Sequence, residues 1–291
     1  MAAVIIDGKA IAAKVRGELE ERIALLARRR IVPCLAIILI GESPDSVSYV
    51  KGKEKALAEL GMQARVHRFP KTAGENEILS CITSLNADKT VHGILVQHPW
   101  PAHIRDNMII NALDPAKDVD CFTPVNLGRL FLGEQVFFPG TPHGIIVMLN
   151  ELKIPLSGSH AVVVGRSNIV GKPMALLLGR KENNATVTLC HTGTKDLPSF
   201  TRRADILIAA CRSPGLVTGD MINNGAAVID VGVNRVPDDK KKKGYRLVGD
   251  VNFEEASEIA GWITPVPGGV GPMTITMLLH NLVLAAEQQS V

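Results

Sequence analysis

The 291 residues suffice for one large or two medium domains, and 46% hydrophobic with 21% charged residues describes a chain able to bury a sizeable core. A formal charge of +3 is too small to imply a nucleic-acid surface, and the one dense basic run, Lys240–Lys243 beside Asp238 and Asp239, reads as a solvated turn. Five scattered cysteines (Cys34, Cys81, Cys121, Cys190, Cys211) without CxxC spacing argue against a disulfide framework or a structural zinc site.

A reducing compartment fits that cysteine usage, and no metal is expected. The N-terminal stretch "MAAVIIDGKAIAAKVRGELEER" lacks the apolar run of a signal peptide and carries acids that a transit peptide avoids. No segment is expected to supply the roughly 20 apolar residues of a membrane span. The chain therefore reads as a soluble cytoplasmic protein with neither nucleic acid nor membrane as partner.

In chain order, the first half alternates helix 9–29, strand 34–40, helix 46–60, strand 64–69, helix 75–86 and strand 91–97. Such alternation predicts crossover units on a largely parallel sheet. Between 98 and 145 the pattern breaks into "HPWPAH", "LDPAKDVDCFTPVN" and "FFPGTPHG", which read as long loops of the kind that bind ligands. A second series follows: strand 161–165, helix 171–180, and strands 186–190, 205–210 and 226–232. It has the pattern of a dinucleotide-binding domain. The Gly/Pro-rich "ITPVPGGVGPMT" then leads into an apolar closing helix.

The stretch "SYVKGKEKALAEL" (48–60) holds three lysines that helical geometry separates. With Ser46 as N-cap and Gly61 as the stop, Tyr49, Lys53, Ala56 and Leu60 share an inward stripe with Leu57 at its edge, while Lys51 and Lys55 point to water. An inward lysine either snorkels to solvent or titrates low enough to carry protons near neutrality. Gly52 marks either a close backbone approach or a tolerated imperfection.

"VVVGRSNIVGKPMALLL" (162–178) runs from an apolar strand through Gly165 and Gly171 into a helix, placing amides where a pyrophosphate can sit. It is not GxGxxG, and a plain strand-turn-helix connection stays open as an alternative. The next strand ends "TLCHTGT", with no acid for the ribose hydroxyls of NAD. Arg166, Thr192 and His191 nearby make NADP the expected cofactor.

Taken together, "SYVKGKEKALAELGM", "GILVQHPWP", "DPAKDVDCF", "GRSNIVGKPM", "VGDVNF" and "ITPVPGGVGPMT" resemble the bifunctional methylenetetrahydrofolate dehydrogenase/methenyltetrahydrofolate cyclohydrolase family, in family order and over nearly the whole chain. The resemblance implies an α/β fold of two domains: a folate-binding catalytic domain (1–142 plus 272–291, the closing helix returning to it) and a Rossmann-like NADP-binding domain (143–271). It implies Lys53 as the catalytic lysine, Tyr49 stacking on the folate, Gln97 orienting or tuning Lys53 and Asp120 holding the pterin's donor nitrogens. Val96, Pro99, Gly268 and Gly269 would also meet substrate. Gly165, Arg166, Ser167, Ile169, Val170, Gly171, His191, Thr192 and Val233 would meet the cofactor.

The implied activity is NADP-linked interconversion of 5,10-methylene- and 5,10-methenyltetrahydrofolate, with hydrolysis of the latter to 10-formyltetrahydrofolate. Substrates would include polyglutamylated folates, the assembly would be a homodimer, and the metabolic place would be one-carbon metabolism and purine biosynthesis. A monofunctional relative and a non-catalytic binding relic are the alternatives. Departures from the family pattern are Cys121 where glycine is commoner, Gly140 where cysteine is common, and His98 and Trp100 where smaller or aliphatic residues are frequent. The loop 265–274 is expected to line a cleft, so that Gly269→Val would strike the ligand rather than a core.

Overall fold

The computed structural model describes residues 2–134, 137–241 and 244–290. Of the basic run, Lys242 and Lys243 lie outside the described residues. The chain forms β1 (Val4–Ile5), α1 (Gly8–Arg28), β2 (Cys34–Ile40), α2 (Pro44–Glu59), β3 (Gln63–Phe69), α3 (Glu75–Ala87) and β4 (Gly93–Val96). Three helices follow: α4 (Asp106–Ala112), α5 (Pro124–Leu132) and α6 (Gly140–Glu151). Next come β5 (His160–Val164), α7 (Gly171–Gly179), β6 (Thr186–Cys190), α8 (Leu197–Thr201), β7 (Ile206–Ala209) and β8 (Ala227–Asp230). The chain closes with β9 (Asn234–Pro237), β10 (Tyr245–Val248), α9 (Phe253–Ile259), β11 (Trp262–Ile263) and α10 (Val270–Gln288).

Contacts divide the chain into two compact units: Lys14–Gly140 with the segment from Ile275, and Thr141–Thr274 with the stretch up to Ala13. The first carries a parallel sheet of order β3-β2-β4. Its central strand "CLAIILI" is buried along its whole length, as expected of a parallel strand covered on both faces. Period-two alternation sends Leu35, Ile37 and Leu39 to one core, with Leu19 of α1, Val50 and Leu57 of α2, and Leu278 and Leu282 of α10. Ala36, Ile38 and Ile40 go to the other, with Ile78 and Ile82 of α3. α10 has the length and composition of a membrane-spanning helix, contrary to the sequence expectation, yet Leu278, Leu279, Leu282, Val283, Ala285 and Ala286 are all buried in the first core.

The second unit carries six strands in the order β1-β11-β8-β7-β5-β6, every pairing parallel, and the antiparallel hairpin β9-β10. Here the sequence-based boundary needs correcting at the N-terminus. Residues 4–5 pair with Trp262 and Ile263 and so belong with the dinucleotide-type sheet. A two-residue edge strand with both residues exposed has no hydrophobic period to announce it.

Two further expectations change. α2 starts at Pro44, not after Ser46: Ser43 is the N-cap, its Oγ accepting from the Ser46 amide at 3.2 Å, with proline in the first turn. Gly61 does sit past the end at φ +69, where the Gly61 and Met62 amides reach Ala58 and Leu57 carbonyls. The span 98–145 is not all loop, because α4, α5 and the start of α6 fall within it. α5 had its signals in the sequence: Thr123 caps it, Pro124 opens it and Gly133 closes it at φ +80.

Candidate functional site

Gln97 is the first residue after β4, and the three-stranded sheet changes direction at β2, with β3 added on one side and β4 on the other. Ligands of open parallel sheets collect at the carboxyl ends of strands beside such a reversal. Lys53 of α2 reaches this edge: its Nζ donates to Gln97 Oε1 at 2.9 Å. Gln97, 8% exposed, is itself fixed, its Nε2 donating to the His98 carbonyl at 2.7 Å and its amide to the Ile38 carbonyl at 2.8 Å. The lysine is thus held by a neutral acceptor. Burial lowers its pKa from 10.5, with the Asp120 carboxylate opposing that shift.

Asp120 stands on a loop fixed by its neighbours. Lys117 Nζ donates to the Leu85 and Asp88 carbonyls at 2.9 and 2.7 Å. Asp118, fully buried, accepts from the Phe122 and Thr123 amides and from Asn126 Nδ2. Burial raises the Asp120 carboxyl, the Lys53 ammonium pulls it back down, and Asp118 pushes it up again. Cys121 adopts φ +59, the left-handed region that glycine tolerates best, and its thiol donates to the Phe137 carbonyl at 3.1 Å. That backbone conformation is a physical reason for glycine at this position.

Tyr49 departs from the expected inward stripe. It is 53% exposed, and the buried side of α2 is instead Ser46, Val50, Ala56 and Leu57. Lys53 lies partly buried at the margin of that side, while Lys51 and Lys55 are exposed. Val96 is buried at the end of β4 and Pro99 exposed, with His98 and Trp100 rings 4.3 Å apart beside them and the Trp100 Nε1 donating to Asp106. A Cβ on Gly52 would have only Ile275 Cδ1 near, at 3.9 Å, so this glycine marks no close backbone approach.

In the other unit the sheet reverses at β5, flanked by β6 and β7. The turn from β5 to α7 needs both its glycines. At Gly165, φ +123, a Cβ would lie 2.1 Å from the Ala210 carbonyl oxygen, and at Gly171 one would lie 2.0 Å from the Gly165 carbonyl oxygen. Ser167 Oγ accepts from the Val170 and Gly171 amides at 3.2 and 3.3 Å, so this hydroxyl fixes the turn that leads into the helix. Val164 pairs with Cys190, bringing exposed Arg166 and Thr192, each two residues further on, to one edge. His191 is held by its own turn, its Nδ1 accepting from the Gly193 amide at 3.0 Å. Ile169 and Val233 are 40% and 50% exposed, and Val170 is partly buried.

Sequence reasoning passed over a pair of buried acids at the same edge. Asp250 is fully buried and accepts from the Cys211, Arg212 and Ser213 amides at 2.7, 2.9 and 2.8 Å, and from Asn234 Nδ2 at 2.9 Å. Asp230 accepts from the Gly232, Asp250 and Val251 amides, each at 2.9 Å, and burial pushes its pKa up to about 6. Gly232 and Gly249 make room: a Cβ on either would fall within 2.4 Å of an Asp250 or Asp230 oxygen. The available signal was glycine beside aspartate at a strand end, in "VIDVG" and "VGDV".

The expectation for Gly269 also changes. A Cβ there would lie 2.7 Å from both the Pro265 carbonyl oxygen and Thr264 Cβ, and one on Gly8 would lie 1.8 Å from the Gly269 carbonyl oxygen. The glycine is required by its own loop, whether or not a ligand is near. Gly268 adopts φ +110, and a Cβ there would have only Lys9 Cε near.

Fold and site define a two-unit α/β protein that combines a lysine-glutamine centre on one parallel sheet with a dinucleotide-type edge on the other. Residues 6–120 match the catalytic domain, and 139–290 the NAD(P)-binding domain, of tetrahydrofolate dehydrogenase/cyclohydrolase. The bifunctional protein FolD of Moorella thermoacetica is 53% identical over 99% of this chain and 100% of its own length. Among solved structures, the bifunctional FolD dehydrogenase/cyclohydrolase from Campylobacter jejuni is 46% identical with a TM-score of 0.94, covering 99% of both chains. The Trypanosoma brucei dehydrogenase-cyclohydrolase, complexed with NADP and an inhibitor, is 40% identical with a TM-score of 0.95, covering 100% of this chain and 99% of that one. The chain belongs to the tetrahydrofolate dehydrogenase/cyclohydrolase family.

Proposed function

We propose that the chain is a bifunctional enzyme that interconverts 5,10-methylene- and 5,10-methenyltetrahydrofolate with NADP and hydrolyses the methenyl form to 10-formyltetrahydrofolate. The observation that carries this reading is the Lys53–Gln97 hydrogen bond at the sheet edge, with Asp120 close enough to act on the lysine's charge. A lysine with a lowered pKa has a larger neutral fraction at working pH, and so can take a proton from attacking water and return it to the ring nitrogen that leaves the one-carbon bridge. Gln97 fixes that amine without adding charge. Asp120 offers two acceptor oxygens to the paired N–H donors of a pterin, and the exposed Tyr49 ring offers a stacking face.

The residues present fit NADP. Gly165 and Gly171 let the β5–α7 turn close tightly, and Arg166 and Thr192 stand exposed where no carboxylate lies between Cys190 and Lys195. NADP, when bound, supplies hydride transfer. Arg166 would pair with its 2′-phosphate, and Ser167, Ile169, Val170, His191 and Val233 would line the rest of that edge. Val96, Pro99 and the backbone at Gly268 and Gly269 would meet the folate.

We extend the proposal to a cytoplasmic homodimer acting on folates that include polyglutamylated forms, in the one-carbon supply to purine biosynthesis. Five free cysteines support the reducing compartment. The test assays methenyl formation from 5,10-methylenetetrahydrofolate, with NADP and with NAD, separately from methenyl hydrolysis. Both activities are expected, and loss of either from the purified wild type overturns the bifunctional reading. Sedimentation equilibrium tests the dimer.

A further inference from the structure

The loop that follows β7 has no role in the assignments above. It lies against the glycine turn of the dinucleotide edge: β7 pairs with β5, the Ala210 amide donates to the Val164 carbonyl at 2.8 Å, and the Ala210 carbonyl occupies the space a Gly165 Cβ would fill. All three backbone amides of Cys211, Arg212 and Ser213 are taken by Asp250. They are therefore closed to any phosphate, and the donors this loop retains are side chains. Arg212 is held at φ +56, a conformation non-glycine residues seldom adopt, with its amide anchored to Asp250. Its side chain is exposed and makes no hydrogen bond or ion pair among the described residues.

A dinucleotide bound at a sheet reversal crosses it, with its pyrophosphate at the turn into the helix. With the 2′-phosphate proposed at Arg166, which stands with Thr192 on the β6 side of the β5 reversal, the remainder of the molecule would pass the β7 side. We propose that the Arg212 guanidinium binds the cofactor pyrophosphate, and that Asp250 is the positioning residue that holds the loop for it. This rests on the NADP reading above. It divides the anionic contacts between two arginines: Arg166 for the 2′-phosphate, Arg212 for the pyrophosphate.

Isothermal titration of the full chain separates the two, because ADP carries a pyrophosphate without a 2′-phosphate and 2′-AMP the reverse. Arg212→Ala is expected to weaken ADP, NAD and NADP alike by about tenfold, the scale of one charge-assisted contact, and to leave 2′-AMP unchanged. Arg212→Lys should recover part of the loss, while Arg166→Ala should weaken 2′-AMP and NADP but not ADP. Unchanged ADP binding in Arg212→Ala, or a loss confined to ligands with a 2′-phosphate, overturns the assignment. If instead the wild type binds neither ADP nor NADP, the cofactor reading itself fails and takes this inference with it.

Discussion

Lys53 Nζ and Gln97 Oε1 meet at 2.9 Å, joining the middle of α2 to the residue after β4 across 44 positions of sequence. The contact requires β2 and β4 to be neighbours, which the β3-β2-β4 order provides. It also requires Lys53 to lie on the sheet-facing margin of α2, while Lys51 and Lys55 face water.

Lys53→Met is therefore expected to abolish methenyl hydrolysis while leaving NADP affinity within a factor of a few, since the dinucleotide edge belongs to the other sheet. Lys51→Met and Lys55→Met should be nearly silent. Lys55 is 79% exposed on its side chain, and its 3.7 Å pairing with Glu59 is an exposed i,i+4 contact worth about 0.3–0.5 kcal/mol. Equal loss of turnover in all three variants would contradict the helical placement.

Burial lowers the Lys53 pKa and Asp120 opposes it, so Asp120→Asn should lower it further. Titration of the Lys53 13Cε resonance in the unliganded protein reads this directly, and an unchanged midpoint would show that Asp120 does not act on the lysine. The sign for stability follows from the same direction. The unfolded lysine titrates near 10.5 and the folded one lower, so in that window the unfolded state binds more protons and stability from this group rises with pH. Lys53→Met should remove that slope from urea midpoints measured across the window.

Asp230 has the opposite sign. Its folded pKa of about 6 exceeds its ordinary 3.8, so the stability it contributes is complete below 3.8 and is lost as pH rises through about 6. The full shift corresponds to on the order of 3 kcal/mol. The stability difference between wild type and Asp230→Asn, from denaturant midpoints, should fall between pH 4 and 6 and then level off. A difference independent of pH would mean that Asp230 titrates normally.

Gly269→Val should lower Tm sharply, because its Cβ meets the Pro265 carbonyl oxygen and Thr264 at 2.7 Å. Gly52→Ala is the contrast: with only Ile275 Cδ1 at 3.9 Å and a helical backbone, it should stabilise by about 0.5–1 kcal/mol. Thermal unfolding of both decides it, and a Gly269→Val protein with wild-type Tm would refute the packing seen at that loop.

NADP should be preferred over NAD by at least about tenfold in kcat/KM, since an arginine-phosphate contact contributes about 1.5–3 kcal/mol. Arg166→Ala should erase most of that preference. A wild type that favours NAD would show that Arg166 has another role.

The sequence by itself determined the elements with strong periods. β2 and β6 have the bounds their apolar runs predict, and α1, α3 and α7 begin and end within about a residue of theirs, because burial of a whole strand or one helix face constrains every position along it. The candidate site residues Tyr49, Lys53, Gln97 and Asp120 were nameable from motif resemblance, and the angular argument separated Lys53 from its two neighbours.

Tertiary structure alone decided the rest. That β1 joins β11 depends on two residues whose partners lie more than 250 positions away, beyond the reach of any local pattern. Helical angle places Tyr49 inside because it locates a face but not what packs on it, and the core centred that face on Val50 and Leu57, the latter only at the edge of the expected stripe. For the Asp230–Asp250 pair the local signal, a glycine within two residues of each acid, does not reveal the partners. An acid becomes structural only where folding gathers enough amides to replace its water, and Asp250 takes three of its four donors from a loop 37 to 39 residues away.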